Sequence, residues 1–383
     1  MRCTITEHLL RLIRPLAIAG ETILSRRVWV FIIEDGDTRV GYGEAAPLPG
    51  FGGEDPAACA AALGKAMAAM TDDVVHAWFA RERADAALGH KLEACLRAAP
   101  CARHAVESAL LDLMAQRQAK PLADLLAGEA VEPRVPVNAL LEGDSSFAVL
   151  TRAKELLGQG FDAFKLKSTG DPRKDADRLR ALRENVGPVA TLRLDVNAAW
   201  TMEQATAFAE ASQGCELEYC EQPLAAADLA GHAQLRKLGH RIALDESVRE
   251  PGDVARIAAA QAADVVVLKP QFLGGWRATK QAAELAQSHG IGVVLTSALD
   301  GAIGRATAAH MAAALGLRGR AHGLATGDLF EQDLVVAPLP LFAGALHLER
   351  TPGLGAGKLR ADKAPAVTMR KPEAKSRKPE GGI

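Results

Sequence analysis

Five short segments between Phe161 and Pro270 share one form, a run of apolar or β-branched residues that ends in charge. They read Phe-Asp-Ala-Phe-Lys165-Leu-Lys167, Thr-Leu-Arg193-Leu-Asp195-Val-Asn197, Leu-Glu-Tyr-Cys-Glu221-Gln-Pro, Ile-Ala-Leu-Asp245-Glu-Ser and Val-Val-Val-Leu-Lys269-Pro. Their charged ends recur every ~24–28 residues, about one strand plus one crossover helix. A repeat of this unit, with the polar residue always at the strand's C-terminal end, predicts a (β/α) barrel. Closing the barrel gathers those ends on one face, so that two lysines and three carboxylates share one mouth.

The rest of the chain fits a second domain. Residues 4–14 and 27–33 are predicted strands, with Val28, Val30 and Ile32 alternating against Trp29 and Phe31. Asp35-Gly36-Asp37 supplies a hairpin turn. Residues 14–25 read as too irregular for a strand and as a flap. The loop at 47–53 is rich in glycine, and its Phe51 is placed to shield a ligand from water. Residues 55–127 are predicted helical, with a stripe of Val106, Ala109, Leu110, Leu113 and Met114. The expected organisation is an α+β capping domain over 1–130 and a barrel over 131–327. Residues 328–360 are expected to return to the cap, and 361–383 to form a basic, disordered tail. Val135–Leu141 is the predicted first barrel strand and Ile291–Ser297 the seventh. The eighth, near 321–327, is polar and glycine-rich.

Composition narrows the function classes. The chain has 383 residues, 49% hydrophobic and 24% charged, with a net charge of −2. That predicts a soluble protein with neither nucleic acid nor membrane as partner. Six cysteines without C-x-x-C spacing, and an N-terminus without a signal-peptide core, predict reduced thiols and a cytoplasmic location. His104, His289 and His310 sit singly in helical patterns and are read as packing or surface residues.

Asp195, Glu221 and Asp245 fall on consecutive strand ends, where like charges are costly unless a cation neutralises them. One such carboxylate alone would be read as half of a salt bridge. Three at barrel periodicity favour a hard divalent ion, Mg²⁺ first and Mn²⁺ as the substitute. Lys167 and Lys269 flank the trio and should face each other across it. A lysine beside a divalent cation and a second lysine has its ammonium form disfavoured, and becomes a general base near neutral pH. Lys165 lies two residues from Lys167, on the same side of the strand, and its charge adds to that effect.

These residues carry a resemblance. Lys-x-Lys, Asp-x-Asn, Glu-Gln-Pro, Asp-Glu-Ser and Lys-Pro followed by Gly274-Gly275 resemble the enolase superfamily, and Gly-Tyr-Gly-Glu44-Ala-Ala-Pro resembles its capping domain. Within it the chain is similar to the muconate lactonising subgroup, and most to its o-succinylbenzoate synthases. The resemblance implies a modified TIM barrel, (β/α)7β, under an α+β cap, with 14–25 and 47–53 as specificity loops. It implies a small-molecule carboxylate as substrate and a hydro-lyase reaction in menaquinone biosynthesis. Lys167 would remove the proton α to the metal-bound carboxylate and then assist departure of hydroxide as water. Lys269 would stabilise the intermediate from the other side. Lys165, Arg193 and Asn197 are assigned to substrate binding, and Ser297, Ala298 and Leu299 would turn backbone N–H groups to the distal carboxylate. N-acylamino acid racemases and dipeptide epimerases use the same site and remain the alternative, although the Asp-x-Asp of the epimerases is absent near its expected place. Oligomeric state stays open.

Overall fold

The structure, a computed structural model, describes residues 1–18, 21–36, 39–71, 73–74, 86–143, 145–360 and 368–370. It opens with an antiparallel hairpin of β1 (Arg2–Ile18) and β2 (Glu21–Glu34), and β3 (Val40–Ala45) adds to the far edge of β2. Here the expected flap is corrected. Residues 14–18 and 21–25 continue the two strands of the hairpin, with a register shift between Arg11 and Leu16. The irregular stretch brackets Pro15, which has no N–H for the ladder, and pairing resumes beyond it. The turn at 35–37 lies partly outside the described residues.

The helices Pro56–Ala69, Ala86–Leu96, Pro100–Arg117 and Leu122–Ala127 follow among the described residues. The helix Pro100–Arg117 lies directly on β3, an approach that needs glycine. A Cβ at Gly43 would stand 1.8 Å from the Ala105 carbonyl oxygen, and one at Gly41 2.2 Å from that of Ala109. His104 on this helix is buried and bonds the Glu44 carbonyl, in keeping with its reading as a packing residue.

The expected first barrel strand is two elements. β4 (Arg134–Pro136) pairs antiparallel with a C-terminal strand, Ala345–His347, and only then does β5 (Ala139–Leu141) enter the barrel. The chain changes partner at one residue, because the Val137 N–H goes to Gly344 and the Asn138 N–H to His322. Six parallel neighbours continue in order: β6 (Ala163–Lys167), β7 (Thr191–Asp195), β8 (Leu217–Glu221), β9 (Ile242–Leu244), β10 (Val265–Leu268) and β11 (Gly292–Leu295). Their crossover helices start at side-chain caps, among them Ser145, Asp171, Asp228 and the Thr201–Gln204 capping box. The eighth element shrinks to two parallel bridges, Val137 to His322 and Thr296 to Gly323, which close the ring. The buried His322 ring completes what the backbone leaves short. It accepts from Leu295 N–H and bonds the Leu317 carbonyl, and burial lowers its pKa to about 4.

Residues 328–360 touch the cap at both ends. The Glu331 N–H reaches Arg11, and the Leu354 N–H reaches Asp112. Of the expected disordered tail only the strand Thr368–Arg370 is described; it pairs with Thr4–Thr6 of β1, contrary to expectation at those three residues. The six cysteines are free thiols, and no helix among the described residues is long and apolar enough to cross a membrane.

Candidate active site

Strand register sets the depth of every inward side chain. Lys167, Asp195 and Glu221 are Cα partners across β6, β7 and β8, while Asp245 and Lys269 each lie one residue past β9 and β10. Two residues earlier on the same faces come Lys165, Arg193 and Tyr219, also mutual partners. Tyr219 also joins Ala243, Val265, Val267 and Val294 in a buried apolar cluster. The barrel is thus layered, with charge at the mouth and hydrocarbon beneath.

At the mouth Asp195, Glu221 and Asp245 are each engaged by an amine. Lys165 Nζ stands 2.9 Å from Asp195 Oδ2 and 2.6 Å from Glu221 Oε1. Lys167 Nζ lies 2.9 Å from the same Asp195 oxygen and donates to Asn197 Oδ1 at 2.6 Å. Lys269 pairs with Asp245. Asn197 in turn donates to Glu246 at 3.0 Å. Burial alone would raise the Asp195 carboxyl, but the Lys165 and Lys167 ammoniums hold it well below the usual carboxylate range. Glu221 goes the other way. Burial, with Asp195 and Asp245 nearby, pushes it up to about 7 against the pull of Lys165. Burial pulls the Lys165 amine down, yet Asp195 and Glu221 hold it well above its ordinary value, so it is a standing positive charge beside Lys167.

A cavity opens above this cluster. Lys165, Lys167, Asp195, Asn197, Asp245, Glu246 and Lys269 form its charged side. Leu16, Leu48 and Phe51 from the cap form an apolar side, and Thr296–Leu299 with Thr326 close it. The backbone is left-handed at Asn197 (φ 50°), Ala198 (φ 60°), Gln222 (φ 41°) and Leu299 (φ 58°), all in the loops that follow barrel strands. Such strain in non-glycine residues collects at functional sites.

The structure parts company with the sequence reading at two places. Arg193 does not reach the cavity. It lies one layer down, 1% exposed, donating to Glu218, Asn138 and the Ala321 carbonyl, with its guanidinium 4.8 Å from the centre of the Tyr219 ring. Sharing a strand face with Asp195 fixed its direction but not its depth. The backbone donors expected at 297 and 298 are also engaged elsewhere. The Ser297 N–H closes the barrel onto Gly323, and the Ala298 N–H goes to Asp300 at 2.6 Å. What Ser297 offers is its hydroxyl, 2.9 Å from that of Thr326.

Several side chains of the site escaped the sequence reading. Glu246 was signalled only by its place after Asp245. Gln222 accepts from the N–H groups of Asp245 (3.0 Å) and Ser247 (3.2 Å), which sets the turn that presents Asp245. Leu48 had no signal beyond its loop.

Among the described residues no group of three or more His, Cys, Asp or Glu side chains stands ready to hold a metal ion. The Lys165 ammonium stands between Asp195 and Glu221 instead, and that of Lys269 on Asp245, as buried like charges require. The donor set nevertheless fits a hard cation. One positively charged nitrogen already touches both Asp195 and Glu221, and Glu221 Oε2 is buried with no hydrogen-bond partner. A buried, orphaned carboxylate oxygen, on a group that feels the charges of Asp195 and Asp245, calls for a cation.

Comparison with known proteins places this geometry. Residues 148–358 match the family described as enolase C-terminal domain-like. Residues 1–127 match the mandelate racemase / muconate lactonizing enzyme N-terminal domain. The chain therefore belongs to the enolase superfamily, and its fold is the capped, modified TIM barrel of that family. It is 37% identical to an o-succinylbenzoate synthase of Thermobifida fusca (strain YX), over 57% of this chain and 68% of that protein. It is 29% identical to muconate cycloisomerase 1 of Pseudomonas putida over 92% and 93% of the two chains. A dipeptide epimerase from Methylococcus capsulatus, solved with Mg and the dipeptide L-Arg-D-Lys, superposes with a TM-score of 0.84 at 28% identity, covering 94% of this chain and all of that one. By their names these relatives divide among a synthase, a cycloisomerase and an epimerase.

Proposed function

We propose that the protein is an o-succinylbenzoate synthase, eliminating water from 2-succinyl-6-hydroxy-2,4-cyclohexadiene-1-carboxylate to give 2-succinylbenzoate. One observation carries the choice within the superfamily: beyond the charged cluster, the cavity wall has no acidic side chain among the described residues. Leu48, Phe51, Leu140, Ala298 and Leu299 supply hydrocarbon there, and Ser297 and Thr326 supply hydroxyls. Such a wall suits a ring and a second carboxylate. An ammonium group, as on a dipeptide, would lie there without a partner.

Asp195, Glu221 and Asp245 would hold a divalent metal ion, most simply Mg²⁺. That ion would bind the substrate carboxylate and offset the negative charge left when the neighbouring carbon loses its proton. Lys167 takes that proton on its Nζ. Asn197, bonded to both Lys167 and Glu246, aims the amine. The protonated Lys167 then gives a proton to the departing hydroxyl, which leaves as water while the ring becomes aromatic. Lys269 stays charged on the other side and balances the anionic intermediate.

A second reading, an N-acylamino acid racemase or dipeptide epimerase, has its own support. Lys167 and Lys269 both reach the cavity, as exchange between two bases requires. The test is a direct assay of the cyclohexadiene substrate with and without EDTA, alongside incubation of N-succinylamino acids in D₂O. EDTA-sensitive dehydration is expected. Deuterium at Cα with loss of chirality and no dehydration would transfer the assignment to the racemases.

A further inference from the structure

We propose that Gln271 is a positioning residue that sets substrate selectivity by locking the capping loop that carries Leu48 and Phe51 to the strand end that carries Lys269. The inference rests on the reading of this cavity as the substrate site.

Gln271 is 1% exposed, and its amide makes two bonds, both into the other domain. Its Oε1 accepts from the Ala46 N–H at 3.1 Å, and its Nε2 donates to the Glu44 carbonyl at 2.9 Å. One side-chain amide thereby imitates a strand rung and extends β3 past its last residue. On the barrel side Gln271 shares a single helical turn with Lys269, whose carbonyl accepts from Phe272 and Leu273 at 3.0 Å. Phe272 supports the loop as well, since a Cβ at Gly52 would come within 3.2 Å of its ring. Arg26 ties the same root to the opposite wall, donating to the Ala46 carbonyl at 2.8 Å and reaching that of Ala298 at 3.4 Å. From this root the loop runs to Leu48 and Phe51, closing on itself through Phe51 N–H to the Leu48 carbonyl at 3.2 Å. Arg249, which follows the Asp245 strand end, holds the Phe51 carbonyl. The distance between the apolar wall and the Lys269 amine is therefore set largely through Gln271.

The chemistry is specific to an amide. Gln271→Glu keeps the size and the acceptor but loses the donor, and turns a carboxylate oxygen toward the Glu44 carbonyl. Steady-state kinetics should compare wild type, Gln271→Glu and Gln271→Ala. The substrates are the one the wild type turns over and an analogue shortened at the end away from the reacting carboxylate. KM for the full substrate should rise roughly tenfold, the scale of one buried hydrogen bond left unmade. The KM of the shortened analogue and kcat should change little. Backbone amide exchange across 46–53 should quicken in both variants. Gly52→Ala, whose Cβ meets the Arg249 guanidinium first and whose φ of 115° disfavours a side chain, disturbs the loop with Gln271 intact and should shift selectivity the same way. Equal loss for both substrates, or unchanged exchange across 46–53, overturns the proposal. If the wild type acts on neither substrate class, the functional reading fails, and the exchange measurement still decides the lock.

Discussion

The two sides of the cavity are built by different rules. The charged side is a consequence of strand register. Lys167, Asp195 and Glu221 are paired across neighbouring strands, so one strand cannot shift without moving the whole set. The apolar side comes from a loop of the other domain, and its place depends on a few bonds across the seam, such as Gln271 to residues 44 and 46. A superfamily that keeps the first side and varies the second can hold one proton-abstraction chemistry while changing substrates. The mixture of synthase, cycloisomerase and epimerase among the relatives accords with that division.

The contrast is broken most severely at the charged side. Lys167→Ala should lower kcat by about 10²–10⁴-fold, the usual contribution of a positioned acid–base group, with the fold intact by circular dichroism. Retained turnover would remove Lys167 from the chemistry. Arg193 sharpens the comparison from beneath, because it belongs to the same strand yet not to the cavity. Arg193→Ala leaves Glu218 and Asn138 short of a buried partner and should cost about 3 kcal/mol in urea unfolding. KM should stay as in wild type; a raised KM at unchanged stability would put Arg193 back among the substrate contacts.

Arg193 also shows how far the sequence reaches. The period of two put Lys165 and Lys167 on one side of their strand, and the repeat length gave the barrel. Depth needed the registers, which depend on strand stagger. The flap at 14–25 was misread because Pro15 and a register shift hide a strand pattern that the partner strand restores. The eighth barrel element was hard to see because most of it is a histidine ring and two backbone bridges. Gln271 left no trace and Leu48 none beyond its loop, since contacts across domains have no periodicity.

On the apolar side the effect should be smaller. Phe51 is buried against the cavity. Phe51→Ala should reduce kcat/KM about tenfold, the loss of roughly 1–2 kcal/mol of apolar contact with substrate. The change should fall in KM. A drop confined to kcat would show that Phe51 acts on the chemical step and that the two sides are not separable.

The smallest expected effect probes the seam itself, where Glu44 of the cap accepts from Gly301 (2.5 Å) and Gly304 (2.8 Å) at the start of the barrel helix Ala302–Ala314. Burial, with the Asp300 charge nearby, raises Glu44 to about 8 against those two N–H bonds. Asp300 is itself raised to about 6, chiefly by burial. Unfolded carboxyls titrate near 4–4.5. Between that range and pH 8 the folded chain keeps protons that the unfolded chain has released, so stability must fall as pH rises. The contribution is whole below about pH 4 and gone once pH passes through 8. Glu44→Gln removes one of the two titrating groups and should flatten the decline of Tm between pH 5 and 8. In a chain of this size ~1 kcal/mol moves Tm by only about 2 °C, so the comparison needs scans at matched ionic strength. Parallel curves for wild type and variant would mean that Glu44 is ionised throughout, and that the cap is held to the barrel by a charge rather than by a shared proton.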